Sequence, residues 1–150
     1  MPSVERMREI LNSNLNALSK GDWNAYKQLF SEHPVYEEEA TNRHVTGADE
    51  IVKAVEPWKR AFPDLTAHVK EAIGSGDALV VEIEWTGTHK GPLAGAFGTI
   101  PPTGKPGKLP AVLVARFDGE RIRELRHYFD LLTMLAQIGA APQVGAPTAR

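Results

Sequence analysis

Asp130 stands where two patterns meet in the 150-residue chain. Before it, RIRELRHYF (121–129) alternates like a strand; after it, LLTMLAQIG (131–139) carries apolar residues at helical spacing. Asp is a favoured helix N-cap, so one reading of Asp130 is purely structural. The other is proton transfer. A carboxylate set among Phe129, Leu131 and Leu132 would be desolvated, its pKa raised, and able to take and return a proton near neutrality. Arg126, of the same strand parity, would oppose that rise by stabilising the charged form. His127 falls on the opposite parity, and His89, in GTHKG (87–91), ends a strand beside a glycine-rich stretch. Either imidazole could hold a proton or a substrate oxygen; the plain alternatives are a packed ring at 127 and a loop anchor at 89. Tyr36, Trp58, Phe62, Trp85 and Tyr128 are core aromatics one by one, and as a set they could line a flat apolar cavity.

Other chemistries lack their residues. With no cysteine there is no thiolate nucleophile, thiolate metal site or disulfide, which suits a reducing, cytoplasmic setting. In EEE (37–39), alternation sends Glu38 to the face opposite Glu37 and Glu39, so the run reads as a solvated edge and no metal is expected. WTGTHKG (85–91) lacks the spacing of a phosphate-binding loop, and no Ser sits in a nucleophile elbow, so no cofactor is expected either. A net charge of −2 without a basic stripe argues against nucleic acid. No apolar run approaches the ~20 residues of a membrane span, and the first residues lack a secretory core.

The elements that must position these side chains follow from periodicity. Val4, Met7, Leu11, Leu15 and Leu18 form one helical stripe between a Ser3 cap and a Gly21 stop. Asp22 caps a short helix through Phe30, and VYEEEA (35–40) reads as a strand. Residues 47–64 hold a helix with Ile51, Val55, Trp58 and Phe62 on one face, which Pro57 is expected to kink or divide. Two strands joined by GSGD (74–77) make a long hairpin. Residues 91–110, rich in Gly and Pro, are expected to be a long irregular rim or lid. A second hairpin, around DGER (118–121), and a terminal helix over 130–138 complete a single domain of residues 1–139, with 140–150 as a flexible tail. Helices first and a strand meander afterwards make an α+β domain.

Five motifs then carry a resemblance: AFPDL (61–65), GTHKGPLAG (87–95), IPPTGK (100–105), FDGERIREL (117–125), and an Asp followed by an apolar helix ending QIG (137–139). Together they resemble the SnoaL-like polyketide cyclases of the nuclear transport factor 2-like superfamily. The resemblance implies a cone-shaped, curved mixed/antiparallel sheet with helices packed on its concave face, and an internal pocket without a cofactor. It also implies acid/base closure of a polyketide-like ester by intramolecular aldol condensation, with Asp130 at the family's aspartate position. Arg126 departs from the aromatic residue common there. Limonene epoxide hydrolase is more distantly similar, but His127 stands where one of its acids would be, and Glu82 and Glu84 occupy the strand that would carry its Arg-x-Asp pair. The alternatives are epoxide hydrolysis, a ketosteroid-isomerase-like proton shift, and a non-catalytic ligand-binding module. The expected partners are a hydrophobic small molecule and further copies of the chain, a dimer or tetramer packed through the outer sheet face, because Val81, Ile83, Trp85, Val112 and Val114 cannot all be satisfied on a single face together with the helices.

Overall fold

The computed structural model describes residues 2–142; most of the expected tail, from residue 143, lies outside them. Helix α1 (Val4–Lys20) begins where the Ser3 hydroxyl accepts the Arg6 N–H, and ends at Gly21, whose left-handed conformation (φ 70°) is open to glycine. Its stripe of Met7, Ile10, Leu11, Leu15 and Leu18 is buried. Asp22 caps α2 (Trp23–Gln28), which is shorter than the sequence suggests because Phe30 already belongs to strand β1 (Phe30–Glu38). After β2 (Arg43–Thr46) comes α3 (Ala48–Ala61), a single uninterrupted helix in spite of Pro57. Burial of Ile51, Ala54, Val55 and Ala61 holds the helix together across the one missing donor.

The hairpin of β3 (Thr66–Ser75) and β4 (Ala78–Thr88) matches the expected one. The Gly- and Pro-rich stretch does not match. It holds a small hairpin, β5 (Leu93–Gly95) with β6 (Gly98–Ile100), and its last residues begin the long strand β7 (Pro106–Asp118). There β7 pairs with β4 from Thr88↔Pro106 onward, whereas its pairing with β8 (Arg121–Phe129) stops at Ala111↔Phe129. Pro106 and Pro110 therefore occupy an edge on the β8 side, where a missing N–H breaks no ladder. Helix α4 (Leu131–Gln137) closes the described chain.

The main sheet runs β2-β1-β8-β7-β4-β3, antiparallel except where β1 meets β8 in parallel. This is the expected α+β architecture. Alternation along the strands sends Leu79, Val81 and Ile83 of β4, and Leu109, Ala111, Leu113 and Ala115 of β7, into the core with the helices. Val81, Ile83 and Trp85 thus face inward. The outer face carries the other parity, including Val80, Val112, Val114 and Tyr128.

Candidate active site

A narrow cavity of about 80 Å³ runs between the helices and the inner sheet face, lined mostly by apolar side chains of α1, α3, β4, β7, β8 and α4. Tyr36, Trp58, Phe62 and Trp85 all line it, where the sequence expected them. Across the β4–β7 pair, Gly87 lies opposite Gly107 and both border the cavity. A Cβ at Gly87 would stand 3.1 Å from Phe62, and one at Gly107 would stand 3.2 Å from Gln137 Oε1. Bare backbone keeps this part of the wall open.

His127 lines the same cavity, 7% exposed. Inward-facing Leu125 and Phe129 set the parity of β8, and His127 shares it. Trp85 Nε1–H donates to His127 Nε2 at 3.0 Å. That fixes the tautomer of a neutral ring: Nε2 accepts, so the proton rides on Nδ1. Nδ1 faces Tyr36 Oη at 3.3 Å and Glu38 Oε2 at 3.9 Å.

Glu38 is the buried polar residue of this site that sequence reasoning missed. Its run is not a solvated edge at this position: the carboxylate is fully buried. It accepts from Tyr36 Oη (2.6 Å), Thr41 Oγ1 (2.6 Å), Arg43 Nη1 (3.2 Å) and Trp58 Nε1 (3.1 and 3.2 Å). Burial pushes the Glu38 carboxyl up, but the facing His127 and the Thr41 and Tyr36 donors outweigh it and hold the group below its ordinary value. Burial and the Glu38 charge push the Tyr36 phenol well up, so it stays a proton donor. A readable signal did exist. Tyr36 and Glu38 are two apart on one strand, so a cavity-lining Tyr36 puts Glu38 on the inner face too.

Asp130 does not reach this network. Its parity is that of the outer face, and it is the N-cap of α4, exposed, accepting the N–H groups of Leu132 (3.0 Å) and Thr133 (3.4 Å) and the Thr133 hydroxyl (2.8 Å). The Thr133 hydroxyl and the backbone donors hold its carboxyl below the ordinary value, the reverse of the expected rise. Arg126 and Tyr128, expected at the substrate, share that outer parity. Arg126 pairs with Glu124 at 3.4 Å, and Tyr128 is 40% exposed.

His89 is buried outside the cavity lining and serves as an anchor. Its Nδ1 accepts the Thr103 N–H (3.2 Å) and lies 3.0 Å from the Thr103 hydroxyl, while its backbone bonds Gly104 and Lys105. Burial pushes this imidazole down, toward the neutral form that accepts the Thr103 N–H. The approach is close: a Cβ at Gly91 would stand 2.2 Å from the Arg60 carbonyl oxygen. Near the end of β1, the ligand atoms of half-buried Glu37 and exposed Glu39 and His44 lie within 4.8 Å of one another.

The family described as SnoaL-like polyketide cyclase matches residues 8–138. No curated protein matches the chain. Among solved structures, AclR of Streptomyces galilaeus, a proposed hydroxylase, is 26% identical with a TM-score of 0.79, covering 95% of this chain and 86% of that one. A proposed polyketide cyclase of Acidithiobacillus ferrooxidans is also 26% identical, at TM-score 0.78, covering 95% and 100%. A protein of Catenulispora acidiphila with a ketosteroid isomerase-like fold, in complex with trimethylamine, is 24% identical at TM-score 0.76, covering 93% and 98%. This last likeness concerns the fold. Among the described residues no helix is long and apolar enough to cross a membrane.

Proposed function

The chain belongs to the SnoaL-like polyketide cyclase family, and from that premise we propose that it closes a ring in a hydrophobic keto ester by intramolecular aldol condensation, with His127 as the proton carrier. The observation that supports this most is the chain of contacts Trp85–His127–Tyr36–Glu38 in the wall of an apolar cavity. His127 Nε2 takes the proton α to a carbonyl, so the C–H bond breaks and an N–H bond forms. Glu38, 3.9 Å from Nδ1, stabilises the resulting imidazolium. The Trp85 N–H, displaced from Nε2 by the substrate, donates to the enolate oxygen where charge develops. The enolate carbon then bonds to the second carbonyl carbon, and the new alkoxide takes its proton back from Nε2. No cofactor takes part.

A small aryl ketone tests the first step. With 1-tetralone in D2O, the protein should accelerate α-deuteration above the buffer rate, followed by NMR. Binding without exchange above buffer would sink the acid/base reading. In this reading Asp130 caps α4 and nothing more. Asp130→Ala should lower the melting temperature, because the helix N–H groups lose their acceptor, and leave the exchange rate of the folded protein unchanged. A loss of exchange in a folded Asp130→Asn variant, which keeps a capping side chain, would return the proton to that carboxylate.

The proposal extends to a homodimer. On the outer face, Ile73 (62% exposed), Val80 (40%) and Tyr128 (40%) stand near Val112 and Val114 in one apolar patch, which a second copy would cover. Sedimentation equilibrium at micromolar concentration should give at least twice the 16.4 kDa chain mass. A single-chain mass would refute it.

A further inference from the structure

Asn14 sits on the inner stripe of α1, with 0% of its surface exposed. Among the described residues neither its Oδ1 nor its Nδ2 has a hydrogen-bond partner, and the residue lines the cavity. A buried amide with neither end paired is costly, and folded proteins rarely keep one without a use. The rest of the stripe is apolar: Met7, Ile10, Leu11, Leu15 and Leu18. Any aliphatic side chain would serve α1 better at this position. Asn is also a poor residue for the middle of a 17-residue helix, since its side chain competes for backbone hydrogen bonds.

We propose that Asn14 is a substrate-binding residue that recognises a hydroxyl group, phenolic or enolic, carried by the ligand. A hydroxyl is the small group that both donates and accepts. It can give its proton to Oδ1 and take one from Nδ2, and so satisfy both free ends at once. A simple ether or carbonyl would satisfy only Nδ2 and leave Oδ1 buried and unpaired. Asn14 belongs to the helical wall, whereas Tyr36 and His127 belong to the sheet. A ligand held at both walls is fixed in direction, with its hydroxylated end against α1 and its reacting carbonyl toward His127. This inference rests on the cavity being the ligand site of the proposed cyclase, and it adds the chemical class of the group bound at the far wall.

The test is a binding measurement, independent of turnover. Titration calorimetry of the full chain with 2-naphthol and with naphthalene should show wild type preferring the naphthol at least tenfold. Asn14→Leu and Asn14→Ala should lose that preference while still binding naphthalene. The Leu variant should also melt about 2–4 °C higher or more, because it removes an unpaired buried amide. Equal affinity of wild type for the two probes would overturn the inference, as would a preference retained by both variants. A Leu variant that melts several degrees lower would overturn it too, since Asn14 would then be tied to structural water. If wild type prefers the naphthol, both Asn14 variants lose that preference and α-deuteration is absent from wild type, the cyclase reading fails while the Asn14 assignment stands.

Discussion

Replacing His127 by Gln should lower the single-turnover rate of α-deuteration by about a hundredfold to ten-thousandfold, the usual range for loss of a general acid/base, in a protein that stays folded. The Gln amide oxygen can still accept the Trp85 N–H that now reaches His127 Nε2, so the packing of Trp85 and Phe129 around position 127 keeps a polar partner. An amide cannot carry the proton. The split between the two measurements is what identifies the role: the melting temperature should move by a few degrees, the rate by orders of magnitude. A folded Gln variant with wild-type exchange would remove His127 from the chemistry. Tyr36→Phe should cost less than His127→Gln, because Glu38 would still face Nδ1 across 3.9 Å.

The second large effect is on stability and belongs to Glu38. Glu38→Ala removes the common acceptor of Tyr36, Thr41, Arg43 and Trp58, and leaves those donors facing a void. Breaking a buried pair by deleting one partner costs about 3–5 kcal/mol. Glu38→Gln keeps the shape but turns one acceptor into a donor against Trp58 or Tyr36, which should cost on the order of 1–3 kcal/mol. The pH dependence has a definite sign. The Glu38 carboxyl is held below its ordinary 4.5 in the folded chain, so the unfolded chain binds its proton more readily. The stabilisation is complete above about 4.5 and is lost as pH falls through the folded-state value. Denaturant titrations of wild type and Glu38→Gln should therefore differ most near neutrality and converge in acid. A gap that widened toward pH 3 would show that the carboxylate is not the stabilising form.

Much of this arrangement is written in local pattern. The α1 stripe, its Ser3 and Gly21 ends, the Asp22 cap and both long hairpins follow from spacing and turn chemistry alone. So does the relation between Glu38 and its neighbours: alternation already separates it from Glu37 and Glu39. Alternation gives only relative sidedness, however, and which side is the interior depends on a partner strand far along the chain. Glu38 lies in register with His127 of β8, and that pairing turns an acidic run into a buried carboxylate. Asp130 shows the same limit from the other end. Its cap role is local and readable, whereas its exposure follows from the outer parity it shares with Arg126 and Tyr128. In the Gly- and Pro-rich stretch, composition points to an irregular loop. Strand β7 forms there nonetheless, because β4 offers a partner and the prolines fall where β8 has already ended.

The parallel pairing of β1 with β8 also dictates when the Tyr36–Glu38–His127 cluster can exist. Tyr36 and His127 are 91 residues apart in sequence, and bringing the ends of such a loop together costs about 4 kcal/mol of chain entropy beyond a length-independent constant. The α1 helix and the β3–β4 hairpin are local and can form while the chain is still being made. A nascent chain that has not yet released β8 has Glu38 with no imidazole in front of it. The imidazole proposed as proton carrier thus depends on a late, long-range pairing, and a chain halted short of residue 127 lacks it, whatever else of the fold it has built.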